Sequence, residues 1–348
     1  MSGVAFSGSN TPSATNSMNL PSTSSVAIGR SRSGVSTRPR SKNRLISGTI
    51  SAVSRHLGLD VGGTNLKWAV VERNVEPRLL KTGILPTDTR DGEQSVVRQL
   101  LGVARTIVAD VEGIESVGVG MPGVLDPEAG ITRFIPNIPG HWEGVQVTAP
   151  MTDAVRSPVR LINDARAFAL AEHGLGAGRG ARAMLGITLG TGVGGGLILD
   201  GHLYLGHEGT AGEFGHQTIL PDGPRCNCGN HGCLEALARA DAIAAACGQP
   251  SVEESVAAAR AGDSRAQQGL DEAGRYLGIG ASNVVVLVAV DRIVIGGGIA
   301  AAGDMLLEPI REELRRRVHV TDVGRITVVA GELGIWAGAI GAALHGST

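Results

Sequence analysis

Short apolar runs alternate with longer amphipathic or Ala-rich stretches from about residue 56 to the end of the chain. Short apolar runs bounded by turn residues are typical of strands, whereas the longer stretches contain strong helix formers. The pattern predicts strands at 56–61, 65–71, 116–120, 159–162, 183–189, 197–203, 292–295 and 326–329. It predicts helices at 92–110, 165–173, 234–247, 251–261, 264–289, 304–317 and 335–344. Strands interleaved with helices in this way predict an α/β fold.

Two stretches between these elements carry loop residues. We expect residues 121–126 to leave a strand as a loop. Residues 135–142 should be irregular, because Pro136 and Pro139 exclude a helix interior.

The first 54 residues differ from the rest in composition. They are rich in Ser, Thr, Asn, Gly and Arg, so they carry too little apolar surface to offset the entropy of ordering. Residues 1–59 contain no Asp or Glu but hold seven of the 31 Lys and Arg residues. We predict a disordered, basic Ser/Arg-rich tail over residues 1–54. The alternatives are an organellar transit peptide or an arm that touches nucleic acid.

Composition limits the remaining function classes. In residues 60–348, 24 Lys and Arg residues face 33 Asp and Glu residues, so the body is acidic and nucleic-acid binding is not expected. No apolar run of about 18 residues occurs, so a membrane span is not expected. Four cysteines in 348 residues favour a reducing compartment. We therefore expect a cytoplasmic protein, with an organellar location as the alternative if the tail is a transit peptide.

A glycine-rich turn follows the first predicted strand, between Asp60 and Asn65. It joins two strands in a hairpin, and an ordinary tight turn is one interpretation. In the other, Gly62 and Gly63 let backbone N–H groups approach a phosphate while Thr64 adds a hydroxyl group. Asp60 would then face a magnesium ion through water.

A second glycine-rich turn, Gly190 to Gly196, matches the dinucleotide pattern G-x-G-x-x-G. That pattern requires a helix immediately afterwards, with the pyrophosphate at the N-terminus of the helix. Here a strand follows, so we interpret the segment as a glycine-rich hairpin and not as a Rossmann loop. No Gly-Lys dipeptide occurs, so a Walker A loop is absent too. A third segment, Gly296 to Gly298, is either a simple turn or a flat surface for a planar group such as adenine.

One histidine and three cysteines follow the pattern H-x9-C-x-C-x4-C, which suits a closed tetrahedral zinc site. They are His216, Cys226, Cys228 and Cys233. His231 is the alternative histidine ligand, whereas Cys247 lies in a predicted helix and should pack as a small apolar residue.

Carboxylates and amides stand beside these motifs. Glu213 and Glu235 flank the cysteine cluster, and Asn137 lies in the proline-containing loop. Asn163 and Asp164 stand where a predicted strand meets a helix, so capping of that helix is one interpretation of Asp164.

The order of these elements resembles the actin/hexokinase/heat-shock ATPase superfamily, in which two related lobes close on ATP. Within it, the Gly-Glu-Phe-Gly-His segment with C-x-C-G-x-x-G-C-L-E resembles the ROK family of repressors and sugar kinases. The resemblance covers about residues 56–345. It implies an α/β, two-lobe actin-like ATPase (ribonuclease H-like) fold with ATP and sugar in the cleft between the lobes. The small lobe would span 55–164 plus the helix 333–348, and the large lobe with the zinc motif 165–332.

The resemblance also implies ATP-dependent phosphorylation of a hexose at the 6-hydroxyl, with glucose as the first expectation and Asp164 as the general base. Hydrogen bonds to the sugar are implied for Asn137, Asn163, Asp164, Glu213, His216 and Glu235. Phosphate and Mg²⁺ binding is implied for Asp60, Gly62, Gly63, Thr64, Asn65, Gly190, Thr191 and Gly192. Gly297 and Gly298 would line the adenosine pocket.

Other substrates and a regulator remain open within this family. N-acetylmannosamine, N-acetylglucosamine, mannose, fructose and allose are alternative sugars, and Val124 stands where N-acetylmannosamine kinases usually have an arginine. Repressors of the family carry an N-terminal winged helix, whose apolar pattern the tail lacks. Relatives that use polyphosphate generally lack the cysteine cluster, so ATP is the expected donor. Members are commonly homodimers or tetramers, so we expect a homo-oligomer.

Overall fold

Two five-stranded sheets with the same strand arrangement organise the computed structural model, which describes residues 53–74 and 76–348. The strands are β1 (Ser54–Val61), β2 (Asn65–Arg73), β3 (Arg78–Pro86), β4 (Ile114–Met121), β5 (Val124–Asp126), β6 (Ile131–Phe134), β7 (Val159–Asn163), β8 (Ala183–Leu189), β9 (Val193–Leu199), β10 (His202–Tyr204), β11 (Arg292–Gly296) and β12 (Thr327–Ala330). The tail predicted over 1–54 lies almost wholly outside the described residues.

Nine α-helices are present in the described part of the chain. They are α1 (Glu93–Asp110), α2 (Thr148–Val155), α3 (Asp164–Leu175), α4 (Leu234–Ala238), α5 (Ala240–Cys247), α6 (Val252–Arg260), α7 (Ser264–Val288), α8 (Asp304–Arg317) and α9 (Ala337–Gly346). No helix among residues 53–74 and 76–348 is both long enough and apolar enough to cross a membrane.

The first sheet has the order β3-β2-β1-β4-β7 and the second the order β10-β9-β8-β11-β12. In each, an antiparallel hairpin is followed by parallel strands: β1 pairs antiparallel with β2 and parallel with β4, just as β8 pairs with β9 and β11. The predicted hairpins at both glycine-rich turns are therefore confirmed, and so is the α/β class. The carboxyl ends of β1, β4 and β7 meet at one edge of the first sheet, because these strands run parallel.

Several element predictions were wrong. Part of the expected loop 121–126 is a short strand, since Val124–Asp126 pairs antiparallel with Ile131–Phe134. The helix expected over 234–247 is two helices, because Arg239 is extended with φ −74° and ψ 161°. Strands β3 and β6 and helix α2 lie in segments where the sequence pattern predicted no element. Strand β1 begins at Ser54, two residues before the predicted strand.

Helix α9 lies against the first sheet and against α3, with backbone in contact with backbone. A Cβ atom added to Gly118 of β4 would lie 1.7 Å from the carbonyl oxygen of Ala342, and one added to Gly341 would lie 1.8 Å from that of Ala167. Neither approach leaves space for a side chain, so glycine is required at both positions. Ala339, Ile340 and Ala343 of α9 are fully buried in this contact. The lobe boundaries at 55–164 and 165–332 stay a prediction.

We expect Gly341→Ala to lower the free energy of unfolding by about 1–3 kcal/mol, because the added methyl group forces α3 and α9 apart. The higher helix propensity of alanine acts in the opposite direction but is smaller, about 1 kcal/mol. Gly102→Ala in α1 is the matched control, since a Cβ atom there would meet nothing within 4 Å. Urea unfolding measures both variants, and equal stability changes would contradict the close contact.

Candidate active site

Two partly buried carboxylates lie at the edge of the first sheet. Asp60 lies at the end of β1 and Asp164 directly follows β7, with β4 between the two strands. The pKa of Asp164 is raised to about 7, mainly by burial and in addition by the charge of Asp60, against the lowering effect of the Ala165 N–H group and of Arg166. Burial likewise raises the pKa of Asp60, against the effect of the Lys67 ammonium group 3.5 Å away. The arrangement suits a proton acceptor beside a cation site.

Asn163, and not Asp164, caps helix α3. The Asn163 Oδ1 atom accepts hydrogen bonds from the backbone N–H groups of Ala165 at 3.0 Å and Arg166 at 3.3 Å. The Asn163 Nδ2 atom donates to the carbonyl oxygen of Gly123 at 3.1 Å. Capping therefore does not explain Asp164, which is the first residue of the helix.

The first turn of α9 lies directly behind Asp60. A Cβ atom on Gly338 would come within 2.5 Å of the Asp60 Cγ atom, so any larger residue would displace the carboxylate. The N-terminal end of a helix carries a partial positive charge, which favours an anionic group at this position. The position of Asp60 thus depends on a residue far away in sequence.

The first glycine-rich turn brings the proline-containing loop to the sheet edge. Gly62 and Gly63 both have ordinary negative φ angles, and the Gly62 N–H group donates to the carbonyl oxygen of Asn65 at 3.0 Å. A Cβ atom on Gly63 would lie 2.6 Å from the carbonyl oxygen of Asn137. Glycine at 63 is therefore explained by the approach of Asn137. Gly63 and Thr64 are exposed at the turn.

The second glycine-rich turn forms hydrogen bonds with residues of α4 and α5. The Ala240 N–H group donates to the carbonyl oxygen of Gly190 at 2.9 Å, and the Val193 N–H group donates to Glu235 Oε2 at 3.1 Å. A Cβ atom on Gly192 would lie 2.6 Å from the same carboxylate oxygen. Glu235, predicted from the cysteine cluster, thus contacts the turn that contains the exposed Thr191.

The third glycine segment adjoins the second. Gly297 has φ +89°, and a Cβ atom there would lie 1.9 Å from the carbonyl oxygen of Leu189 at the end of β8. Gly297 and Gly298 are both exposed. These two glycines therefore form an exposed surface beside the second turn.

The four predicted metal ligands lie together. One ligand atom from each of His216, Cys226, Cys228 and Cys233 lies within 4.8 Å of the other three. The Cys228 and Cys233 sulfurs are 3.7 Å apart, and Cys226 Sγ is 3.8 Å from His216 Nδ1. A tetrahedral ion with metal–sulfur bonds near 2.3 Å requires sulfur–sulfur distances of about 3.8 Å, so the geometry fits zinc.

Burial affects the protonation of Cys226 in this cluster, whereas His231 and Cys247 lie outside the cluster. Burial raises the pKa of the Cys226 thiol to about 12, so a nearby cation is needed to keep it as a thiolate at neutral pH. His231 is exposed, and its Nδ1 atom lies 3.4 Å from the carbonyl oxygen of Gly223, outside the cluster. Cys247 is buried in α5 with its sulfur 3.4 Å from the carbonyl oxygen of Ala266, as expected for a packed residue.

His216 links the cysteine cluster to Glu213. While Nδ1 faces Cys226, Nε2 lies 3.9 Å from Glu213 Oε2. The Arg166 Nη2 atom donates to Glu213 Oε1 at 2.9 Å. Arg166 was not among the predicted site residues, because an arginine in the first turn of a helix is ordinarily exposed.

A cavity of about 300 Å³ lies beside these side chains. Among the predicted site residues its lining includes Asn163, Glu213, His216 and Cys228, and it also includes Arg166. Asn137, Asp164 and Glu235 lie outside its lining. Asn137 instead contacts the first glycine-rich turn, Glu235 contacts the second, and Asp164 lies at the edge of the first sheet.

Comparison with known proteins gives matches over the same part of the chain. The model of the ROK family matches residues 56–346. A glucokinase of Thermotoga maritima is 36% identical over 308 residues, which are 82% of this chain and 95% of that protein.

Two solved structures agree with this match. A ROK hexokinase from Thermus thermophilus has a TM-score of 0.72 and 37% identity, covering 84% of this chain and 98% of its own. A ROK family glucokinase from Streptomyces griseus, solved with glucose and AMPPNP, has a TM-score of 0.71 and 31% identity, covering 85% and 99%.

Asp164→Asn should stabilise the protein in a pH-dependent way. The pKa of Asp164 is raised on folding, so its ionisation weakens the folded state as pH rises from about 4 to about 7. We expect the variant to raise the free energy of unfolding by up to about 4 kcal/mol at about pH 8 and little at about pH 4. Urea unfolding at both pH values measures this, with Asp271→Asn on the exposed face of α7 as control. A pH-independent change would contradict it.

Proposed function

The chain belongs to the ROK family, and we propose that it is an ATP-dependent hexokinase that phosphorylates glucose at the 6-hydroxyl group. Its two-sheet fold is that of the actin-like sugar kinases. The observation that carries the proposal is the partly buried Asp164, whose raised pKa suits a base at neutral pH, next to Asn163 and Arg166 of a cavity that Glu213 and His216 also line.

Asp164 is the general base in this proposal. Its carboxylate accepts the proton of the sugar hydroxyl while the hydroxyl oxygen forms a bond to the γ-phosphorus of ATP. The bond between that phosphorus and the β–γ bridging oxygen breaks, and ADP leaves. Since phosphoryl transfer depends mainly on positioning and charge stabilisation, the protein has little other covalent work to do.

We assign sugar recognition to Asn137, Asn163, Glu213, His216 and Glu235 together with Asp164. Glu213, His216 and Asn163 line the cavity, which supports direct contacts with hydroxyl groups. Asn163 Oδ1 already accepts two hydrogen bonds and Nδ2 already donates one, so any bond that Asn163 makes to the sugar uses the second Nδ2 hydrogen.

We assign phosphate binding to the two glycine-rich turns and adenosine binding to the exposed Gly297 and Gly298. The first turn comprises Gly62, Gly63, Thr64 and Asn65, and the second comprises Gly190, Thr191 and Gly192. Mg²⁺ bound near Asp60 would neutralise phosphate charge, and it would also favour the ionised form of this carboxylate, whose pKa burial raises. The two turns follow the first strand of related hairpins in the two sheets, which supports the assignment of phosphate contacts to both.

We propose that zinc bound by His216, Cys226, Cys228 and Cys233 is structural. Four protein ligands close the tetrahedron, so no position remains for substrate. The ion would orient the turn that carries Glu213 and Glu235. His216 would serve both sites, with Nδ1 toward the metal and Nε2 toward the sugar side.

Asp164→Asn should lower kcat for glucose by about 100-fold or more, because the amide cannot accept the hydroxyl proton. Glucose binding measured by calorimetry should remain detectable in this variant. A coupled ADP-release assay over glucose, mannose, fructose, allose, N-acetylglucosamine and N-acetylmannosamine measures turnover and ranks the sugars. Asp271→Asn is again the control. Absence of wild-type turnover with every sugar, in the presence of ATP and Mg²⁺, would overturn the kinase assignment.

Metal analysis of the purified protein should find about one zinc ion per chain. The double variant Cys226→Ser/Cys228→Ser should lose the ion and bind glucose more weakly, since the turn that carries Glu213 loses its anchor. Cys247→Ser, which changes a buried cysteine outside the cluster, should keep the ion. Full zinc content in the double variant, or an active wild type without zinc, would exclude the structural site.

A further inference from the structure

Arg166 is a buried cation that the proposed reaction does not yet use. It lies in the first turn of α3 and is 4% exposed. Its Nη2 atom donates to Glu213 Oε1 at 2.9 Å and its Nε atom donates to the carbonyl oxygen of Ala211 at 3.0 Å. In the described part of the chain, Glu213 is the carboxylate with which it forms an ion pair. The guanidinium group thus binds the segment 211–213 at two points.

The segment 211–213 also packs against β9 on the side away from Arg166. Gly212, between the two contacts, has φ +91°, and a Cβ atom there would lie 3.0 Å from the carbonyl oxygen of Gly195 in β9. The segment therefore runs between β9 and the side chain of Arg166. Since a residue with a side chain would be strained at this φ, the backbone there has little freedom.

Glu213 itself is only half-buried, with 50% of its side chain exposed. Arg166 takes Oε1, whereas Oε2 lies 3.9 Å from His216 Nε2 and is on the side of the carboxylate left free by the arginine. Arg166, Glu213 and His216 all line the same cavity. One carboxylate oxygen is thereby fixed by the protein while the other remains for a hydroxyl group of a ligand.

Asp164 and Arg166 lie two residues apart on the same helix. A rigid α-helix fixes the distance between the base and the Arg166 guanidinium group. The ion pair with Arg166 then fixes the position of the Glu213 carboxylate relative to the base. A hexose must place its reacting hydroxyl at the base and another hydroxyl at Glu213 at the same time. The separation between these two carboxylates therefore decides which sugar fits.

We propose that Arg166 is a positioning residue for sugar specificity, which holds the Glu213 carboxylate at a fixed distance from the base on the same helix. This inference rests on the proposed sugar-kinase function. Lysine cannot substitute for arginine here, because its ammonium group lacks the planar fork that reaches Ala211 and Glu213 together.

Arg166→Met should raise the KM for glucose by about 100-fold, because Glu213 is no longer held in the geometry that the sugar requires. The KM for ATP should stay at the wild-type value, since the Arg166 side chain donates its hydrogen bonds to Ala211 and Glu213, which lie outside both glycine-rich turns. Arg166→Lys should also raise the KM for glucose, and it carries the test if the methionine variant does not fold. The control is Arg182→Met, which breaks an exposed arginine–carboxylate pair with Asp200 at 2.7 Å and should change neither KM.

A double-mutant cycle separates positioning from a general loss of stability. Glu213→Gln should weaken glucose binding strongly in the wild-type background and much less in the Arg166→Met background, because the two residues act as one unit. Equal effects in both backgrounds, or a wild-type KM for glucose in folded Arg166→Met and Arg166→Lys, would overturn the inference. Wild-type turnover in the same assay distinguishes failure of the proposed function from failure of this inference. An inactive wild type overturns both. If the wild type is active, a negative result with the variants overturns only the role of Arg166.

Discussion

Close backbone packing between α9, α3 and the first sheet sets the geometry of the site. Gly341 allows α9 to lie against the backbone of α3 at Ala167, and Gly118 allows the same helix to lie against β4. Asp164 is the first residue of α3, so its position depends on this contact. Well-packed interiors resist small displacements, and a substitution that separates these elements must move the base as well.

This packing also explains the electrostatics of the two carboxylates. Asp60 is held against Gly338 in the first turn of α9, and Asp164 begins the helix that α9 contacts. Both are partly withdrawn from water at one edge of the sheet, so burial disfavours their charged forms, and the charge of Asp60 further raises the pKa of Asp164. The stability lost by burying them is offset by the extensive apolar contact around α9. A site with raised pKa values therefore lies next to a closely packed part of the fold.

The cysteine cluster is connected both to the proposed sugar-binding residues and to the second glycine-rich turn, which is proposed to bind phosphate. Cys233 is the residue before α4, and Glu235 in the first turn of that helix accepts a hydrogen bond from the Val193 N–H group. Ala240, just after the break at Arg239, donates to Gly190 of the same turn. Fixing the cysteine turn therefore fixes the glycine-rich turn too, so a structural ion at the cluster would order both.

The sequence by itself determined the elements whose signals are local. Short apolar runs predicted most strands of the two sheets, although not β3. The spacing of His216 and Cys226 to Cys233 predicted the cluster, because ligands close in sequence are brought together by tight turns. Only the tertiary structure decided the pairing of Arg166 with Glu213, the contact of Glu235 with the second glycine-rich turn, and the break at Arg239. Each of these depends on a neighbour contributed by a distant segment. Periodicity and spacing report what a residue does within its own element, whereas partners across elements follow only from how the sheets and helices pack.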